Sequence, residues 1–251
     1  MFSDLDFNKL LTLFKFDPAD PLLFNSSMFL FLFIGLFALY LIFSGSRRVQ
    51  VWLLIGFSFF FYYKSSGLYF LLLPLSAFIN FYAGSMLFKT GNYTYKKLYL
   101  SAAIFMNLGL LVYFKYTNFF IQIVNDVSSS ALTPLDIFLP IGISFYTFKA
   151  LSYILDIFLE KMEPEKNFGD FLLYISFFPN ILAGPIDRAD RFLPQLKEKL
   201  HIPQSYVGKG VLLICSGLIK KAIIADYISY NFVDRIFDYP TRFTGVENLI
   251  G

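Results

Sequence analysis

The sequence is poor in the residues from which most soluble active sites are built. Among 251 residues there is one cysteine, Cys215, one histidine, His201, and one tryptophan, Trp52. A single thiol excludes an intramolecular disulfide and any cysteine-built metal centre. A single imidazole excludes a histidine pair or a zinc-protease helix within these residues. Charge is scarce too, with Asp, Glu, Lys and Arg making up 16% of the chain, against about 25% in ordinary soluble domains. Gly142, Gly169, Gly184 and Gly217 are dispersed, and no phosphate cradle, nucleophile elbow or zinc spacing occurs.

What is abundant is apolar and aromatic. Hydrophobic residues reach 57%, with 34 Phe and 17 Tyr, and the mean hydropathy is +0.60. This composition suits a chain whose solvent is largely lipid and whose interfaces carry amphipathic rings. The net charge of +3 is mild, and in such a chain basic residues are topology signals rather than a nucleic-acid footprint.

Residues 24–43 carry no charge and are long enough, at about 1.5 Å per residue, to cross a hydrocarbon core of roughly 30 Å. Residues 51–63, 68–88 and 98–124 predict three more spans, the first of these three carrying Trp52 and Tyr62 and Tyr63 at its ends as interfacial anchors. Arg47, Arg48, Lys89, Lys96 and Lys97 fall on one side of this arrangement, whereas the polar loop 125–133 carries only Asp126. The positive-inside rule then places the basic loops in the cytoplasm and the N-terminus outside, with Lys64 on the minority side.

Beyond Pro134 the texture changes. An apolar helix is expected from Pro140 and Gly142 to about Leu159, followed by a charged stretch at 160–166. Residues 171–185 are too short to span and contain Pro179, Gly184 and Pro185, which reads as a re-entrant or buried element. Residues 211–224 are interrupted by Lys220 and Lys221. Two adjacent ammoniums at mid-bilayer are costly, so this helix is expected in the headgroup region or beside an aqueous cavity. The fold expected is an all-α polytopic membrane protein of transmembrane helices plus re-entrant or interfacial short helices. Its N-terminal helices occupy 1–133 and a second region occupies 134–251.

Four ordered segments combine proline, glycine and charge at membrane depth. They are 139–148 (Leu-Pro-Ile-Gly-Ile-Ser-Phe-Tyr-Thr-Phe), 170–188 (Asp-Phe-Leu-Leu-Tyr-Ile-Ser-Phe-Phe-Pro-Asn-Ile-Leu-Ala-Gly-Pro-Ile-Asp-Arg), 192–196 (Phe-Leu-Pro-Gln-Leu) and 217–226 (Gly-Leu-Ile-Lys-Lys-Ala-Ile-Ile-Ala-Asp). In order and spacing over residues 139–238 they resemble the membrane-bound O-acyltransferase family, most closely the bacterial branch that acylates cell-surface polysaccharides such as alginate, peptidoglycan and teichoic acid.

The resemblance implies an enzyme that moves an acyl group, acetyl first among them, from a cytoplasmic thioester to a hydroxyl outside. The implied donor is acetyl-CoA or a carrier-linked acyl thioester, and no cofactor or metal is expected. The implied partners are the lipid bilayer, the acyl donor or carrier, and an extracytoplasmic polysaccharide or a partner acetyltransferase. Nucleic acid is not among them.

The family's catalytic His lies in a Trp- and Arg-containing segment that is not found in these residues. His201, in a polar loop, does not match it, so no catalytic residue is assigned within 1–251. The resemblance implies a core that continues past residue 251 and a chain that is inert by itself. Donor-site or tunnel candidates are Tyr146, Asp156, Pro185, Arg188, Lys220 and Lys221. Each has a plain structural alternative: a buried hydroxyl with a local hydrogen bond for Tyr146, an interfacial ion pair for Asp156, and topology charges for the basic residues. Cys215 is expected as a small buried apolar group. Two other classes stay open, a polytopic transporter or channel and a non-catalytic accessory membrane subunit. The lack of an internal repeat and the placement of charges at helix ends argue against the first.

Overall fold

The computed structural model describes residues 14–18, 21–128, 131–181, 184, 186–198 and 203–250. Their regular secondary structure is all helical, with no strand among them. Two compact units are distinguished: the described residues of Met1–Leu23 and Phe31–Lys199 form the first, and those of Phe24–Leu30 and Leu200–Gly251 the second.

Helix α1 (Ser27–Ile42) is followed by α2 (Arg47–Ser66), a tightened turn at Gly67–Leu71, α3 (Leu72–Lys89) and α4 (Tyr93–Ser128). The expected spans 51–63 and 68–88 are therefore one helical run, Arg47–Lys89, which is 43 residues long. Gly67 makes the tightened turn possible. It sits at φ +59, where a side chain would be strained, and it donates its N–H to the Tyr63 carbonyl. Pro74 falls in the first turn of α3, where a missing N–H leaves no bond unmade. This run and α4 are each long and apolar enough to cross a membrane.

The polar loop expected at 125–133 begins later, because α4 continues to Ser128. Two asparagines on α4 hold the returning chain in the manner of a strand neighbour. Asn125 both donates to and accepts from the backbone of Leu132, and Asn118 does the same with Leu135, at 2.8 to 2.9 Å.

Helix α5 (Ile143–Phe158) is the centre of the first unit. It is buried over most of its surface, through Ile143, Tyr146, Ala150, Tyr153, Ile154 and Ile157 among others, with Phe148 and Leu155 left exposed. Helices α3 and α4 pack on it, together with the short α6 (Phe168–Ser176), α7 (Phe178–Ile181) and α8 (Ala189–Lys197). Gly84 on α3 admits Tyr153 and Ile157 so closely that a Cβ there would lie 2.9 Å from each.

Polar ties cross this apolar interior in satisfied pairs, as burial demands. Asn80 on α3 and Asn107 on α4 exchange side-chain hydrogen bonds of 3.1 and 2.8 Å. Arg47 meets the buried Asp170 at 2.6 Å and also donates to the Leu196 carbonyl, joining α2, α6 and α8. Lys64, read from sequence as a charge on the minority side, is 4% exposed and donates to the Lys15 carbonyl at 2.6 Å. Tyr62, read as an interfacial anchor, is fully buried against Tyr146. Trp52 stays exposed.

In the second unit α9 (Gln204–Ile219) runs on through a widened π stretch at Lys220–Ala225, then α10 (Asp226–Ile228), a second π stretch at Ser229–Val233 and α11 (Asp234–Asp238). A short α12 (Gly245–Ile250) follows. Cys215, expected to be buried, is exposed on α9, where its neighbours Leu212 and Leu213 are exposed as well.

Candidate functional site

Three of the four sequence segments meet in the first unit. Residues 139–148 open α5, 170–188 build α6, α7 and the loop after them, and 192–196 lie in α8. The fourth segment, 217–226, belongs to the second unit.

The meeting point is created by a break in helical hydrogen bonding. Helix α6 stops at Ser176, and Phe177 turns to ψ 109 ahead of Pro179, which has no N–H to give. The N–H of Phe178 goes to Ser58 Oγ at 3.2 Å, leaving the Tyr174 carbonyl without its partner four residues on. Lys149 of α5 donates its ammonium to that carbonyl. The ammonium also lies 4.6 Å from the ring centre of Tyr174 and 5.6 Å from that of Phe192. A buried cation is thus held by one carbonyl and two ring faces, and Lys149 is only 2% exposed. The Tyr174 hydroxyl reaches back between the carbonyls of Lys149, at 3.2 Å, and Asp187, at 3.1 Å. The Asp187 carboxylate in turn accepts from Asn180.

Gly142 begins α5 in the left-handed region at φ +77, pressed against Ile181 of α7. One turn on, Tyr146 is fully buried with its ring centre 6.4 Å from that of Tyr62. The local hydrogen bond expected for Tyr146 is absent: neither it nor Tyr62 makes one of standard geometry. Asp156, expected to pair at an interface, is instead 5% exposed and has no ion pair among the described residues. One of its carboxylate oxygens is buried without a partner.

Beyond α5 the charged loop 159–167 is built around Glu165. Its carboxylate accepts from Lys197 at 2.7 Å and from the N–H groups of Lys166 and Asn167, at 2.9 and 3.0 Å. Its own N–H is donated to the Tyr153 hydroxyl at 3.1 Å. Burial pushes the Glu165 pKa up, but these donors outweigh it and hold the group below the usual carboxylate range. Two recesses flank the loop. One, of about 540 Å³, lies between the loop and α8. The other, of about 440 Å³, lies against Phe81, Tyr82 and Phe88 of α3. Lys89, Lys161 and Lys166 line them together with Glu163, Glu165 and Asp190, and these three lysines make no ion pair among the described residues.

The sequence candidates are therefore dispersed. Tyr146 and Asp156 lie on α5. Arg188 is exposed immediately before α8 and makes no ion pair among the described residues. Lys220 and Lys221 are exposed in the second unit, where Lys221 pairs with Asp226. Pro185 and His201 lie outside the described residues. The residue that sequence reasoning missed is Lys149. Its signal was present, a lone ammonium inside an apolar helix, which by itself marks a candidate functional position.

Comparison with known proteins gives a consistent set of relatives. The chain is 30% identical to a peptidoglycan O-acetyltransferase of Helicobacter pylori, over 90% of this chain and 48% of the relative. It is 32% identical to a probable alginate O-acetylase of Pseudomonas aeruginosa, over 89% of this chain and 44% of the relative. The chain belongs to the membrane-bound O-acyltransferase family. A more distant member, a teichoic acid D-alanyltransferase of Lacticaseibacillus rhamnosus, is 26% identical over 55% of this chain and 39% of the relative. The chain spans about half the length of the curated relatives it matches. No family model matches it, and no solved structure does either.

Proposed function

We propose that the chain is part of a multi-pass inner-membrane O-acyltransferase with its N-terminus outside. It takes an acyl group, acetyl first among them, from acetyl-CoA or a carrier-linked thioester in the cytoplasm. The group goes to a hydroxyl of an extracytoplasmic polysaccharide, directly or through a partner acetyltransferase. In that reaction a hydroxyl oxygen attacks the thioester carbonyl, a base takes its proton and the thiolate leaves. Among the described residues there is no imidazole to serve as that base. The role left to the first unit is to supply walls and a cytoplasmic mouth.

The observation that carries this reading is the charged loop 159–167. It lies on the side that Arg47, Arg48, Lys89, Lys96 and Lys97 mark as cytoplasmic, and with Lys89 of α3 its Lys161 and Lys166, outside any ion pair among the described residues, stand beside two recesses that Glu163 and Asp190 also line. Unpaired ammoniums beside a recess suit the phosphates of a thioester donor. Helices α6 and α7, short and broken, keep polar backbone within protein rather than against lipid, as a passage between two aqueous sides requires.

The test is transfer of labelled acetyl, and separately of D-alanyl, from CoA or an acyl carrier to base-labile ester in the polymer, in membranes containing the protein. Label is expected in the polymer or on the partner, with donor KM raised in Lys161→Gln/Lys166→Gln. Absence of transfer from every donor by folded protein refutes the reading. Cysteine accessibility at Ser46, on a Cys215→Ser background, checks the orientation, and labelling from outside would reverse it.

A further inference from the structure

We propose that Lys149 is a positioning residue for the loop 186–188, and through it for Arg188 at the acyl-donor side; this role rests on the acyl-transfer reading. The argument starts from a charge in an expensive place. A buried ammonium is retained only where something holds it, and Lys149 is 2% exposed with no ion pair among the described residues.

Everything that holds it leads to one loop. Its head group caps the Tyr174 carbonyl and is overlaid by the rings of Tyr174 and Phe192. The hydroxyl of that same Tyr174 sits between the Lys149 and Asp187 carbonyls. Asn180 donates in turn to the Asp187 carboxylate. Arg188 follows directly, exposed and at the start of α8. Lys149 thus fixes Tyr174, Tyr174 fixes the backbone at Asp187, and Asp187 sets where Arg188 begins. A methionine of similar length would fill the space but leave the Tyr174 carbonyl bare, freeing the loop without emptying the core.

The experiment uses the full-length protein in nanodiscs on a Cys215→Ser background, with a nitroxide at Ile186→Cys, which is 46% exposed. Lys149→Met is expected to raise the mobility of that label while helix content is retained, and Lys149→Arg to restore the bound-like spectrum. In transfer assays Lys149→Met is expected to raise donor KM about tenfold, equivalent to about 1.4 kcal/mol, with kcat changed less than about twofold. Arg188→Gln should produce the same rise, and the double variant no more than Arg188→Gln alone. An unchanged label, a fall confined to kcat or additive effects in the double variant would each overturn the proposal. An inert wild type whose label still responds to Lys149→Met would refute the acyl-transfer reading and, with it, the donor role of the tie. If Lys149→Met does not fold, Lys149→Gln carries the same comparison.

Discussion

Gly142→Ala tests the junction on which the candidate site is built. The glycine occupies φ +77, where an L-residue costs about 1–2 kcal/mol. A Cβ at this position would fall inside contact distance of the Ile181 carbonyl oxygen and 2.8 Å from Ile181 Cγ2. That oxygen is backbone, so relief requires α7 to move, and overpacking of this kind costs about 1–3 kcal/mol. The two effects together come to about 2–5 kcal/mol. For a unit of this size that corresponds to a fall in Tm of roughly 5–15 °C. Thermal unfolding in one detergent or nanodisc preparation, followed by near-ultraviolet dichroism of the buried tyrosines, measures it. Gly56→Ala on α2 is the control, because its Cβ meets nothing within 4 Å and the substitution improves helix propensity by up to about 1 kcal/mol. Equal Tm values for Gly142→Ala and wild type would refute both the left-handed start of α5 and its seating on α7.

Three further outcomes follow from the polar ties. In the Arg47–Asp170 pair the carboxylate is 3% exposed and the guanidinium 38%, so Arg47→Met strands a buried charge and is expected to cost about 3–5 kcal/mol. Asp170→Asn leaves an Arg that reaches solvent and should cost clearly less; equal losses in denaturant titration would contradict this asymmetry. Glu165 has a folded pKa below its ordinary 4.5, so its contribution to stability is present above the unfolded pKa and is lost as pH falls through the folded one. Wild type should therefore lose Tm below about pH 4.5 more steeply than Glu165→Gln, and parallel pH profiles would disprove it. Asn80→Leu strands Asn107 and is expected to cost about 1 kcal/mol, which Asn80→Leu/Asn107→Leu should recover in part; additive losses would show that the two amides do not share a pair.

How much of this was legible in the sequence depended on the kind of signal. Apolar length gave the helical runs, because a span is a property of local composition. The fusion of 51–63 and 68–88 into one run escaped, since Gly67 reads as a breaker until its turn and its N–H bond to Tyr63 are seen. The stretch 171–185 was expected as a short re-entrant or buried element because Pro179, Gly184 and Pro185 make a long helix impossible there, and its described residues up to 181 form short, largely buried helices. Tyr62 was misread as an interfacial anchor and Lys64 stood out as a charge on the minority side, because a polar group at the end of an apolar run ordinarily faces the interface, and only tertiary packing shows that a second ring or a carbonyl takes it instead.

The site itself separates motif from mechanism. The segments 139–148, 170–188 and 192–196 were recognisable because proline and glycine are conspicuous at membrane depth, yet the residues named within them were chosen by chemistry alone. Arg188 and Asp156 attract attention as charges, but neither is the group that brings the segments together. That role falls to Lys149, one residue past the first motif, because the bond it satisfies exists only after α6 breaks and Phe178 turns its N–H to Ser58. The partner of a lone buried lysine cannot be read from its own helix. It is created by a hydrogen bond withdrawn on another, 25 residues away, and the charge is retained because an apolar side chain of the same size would leave that carbonyl bare.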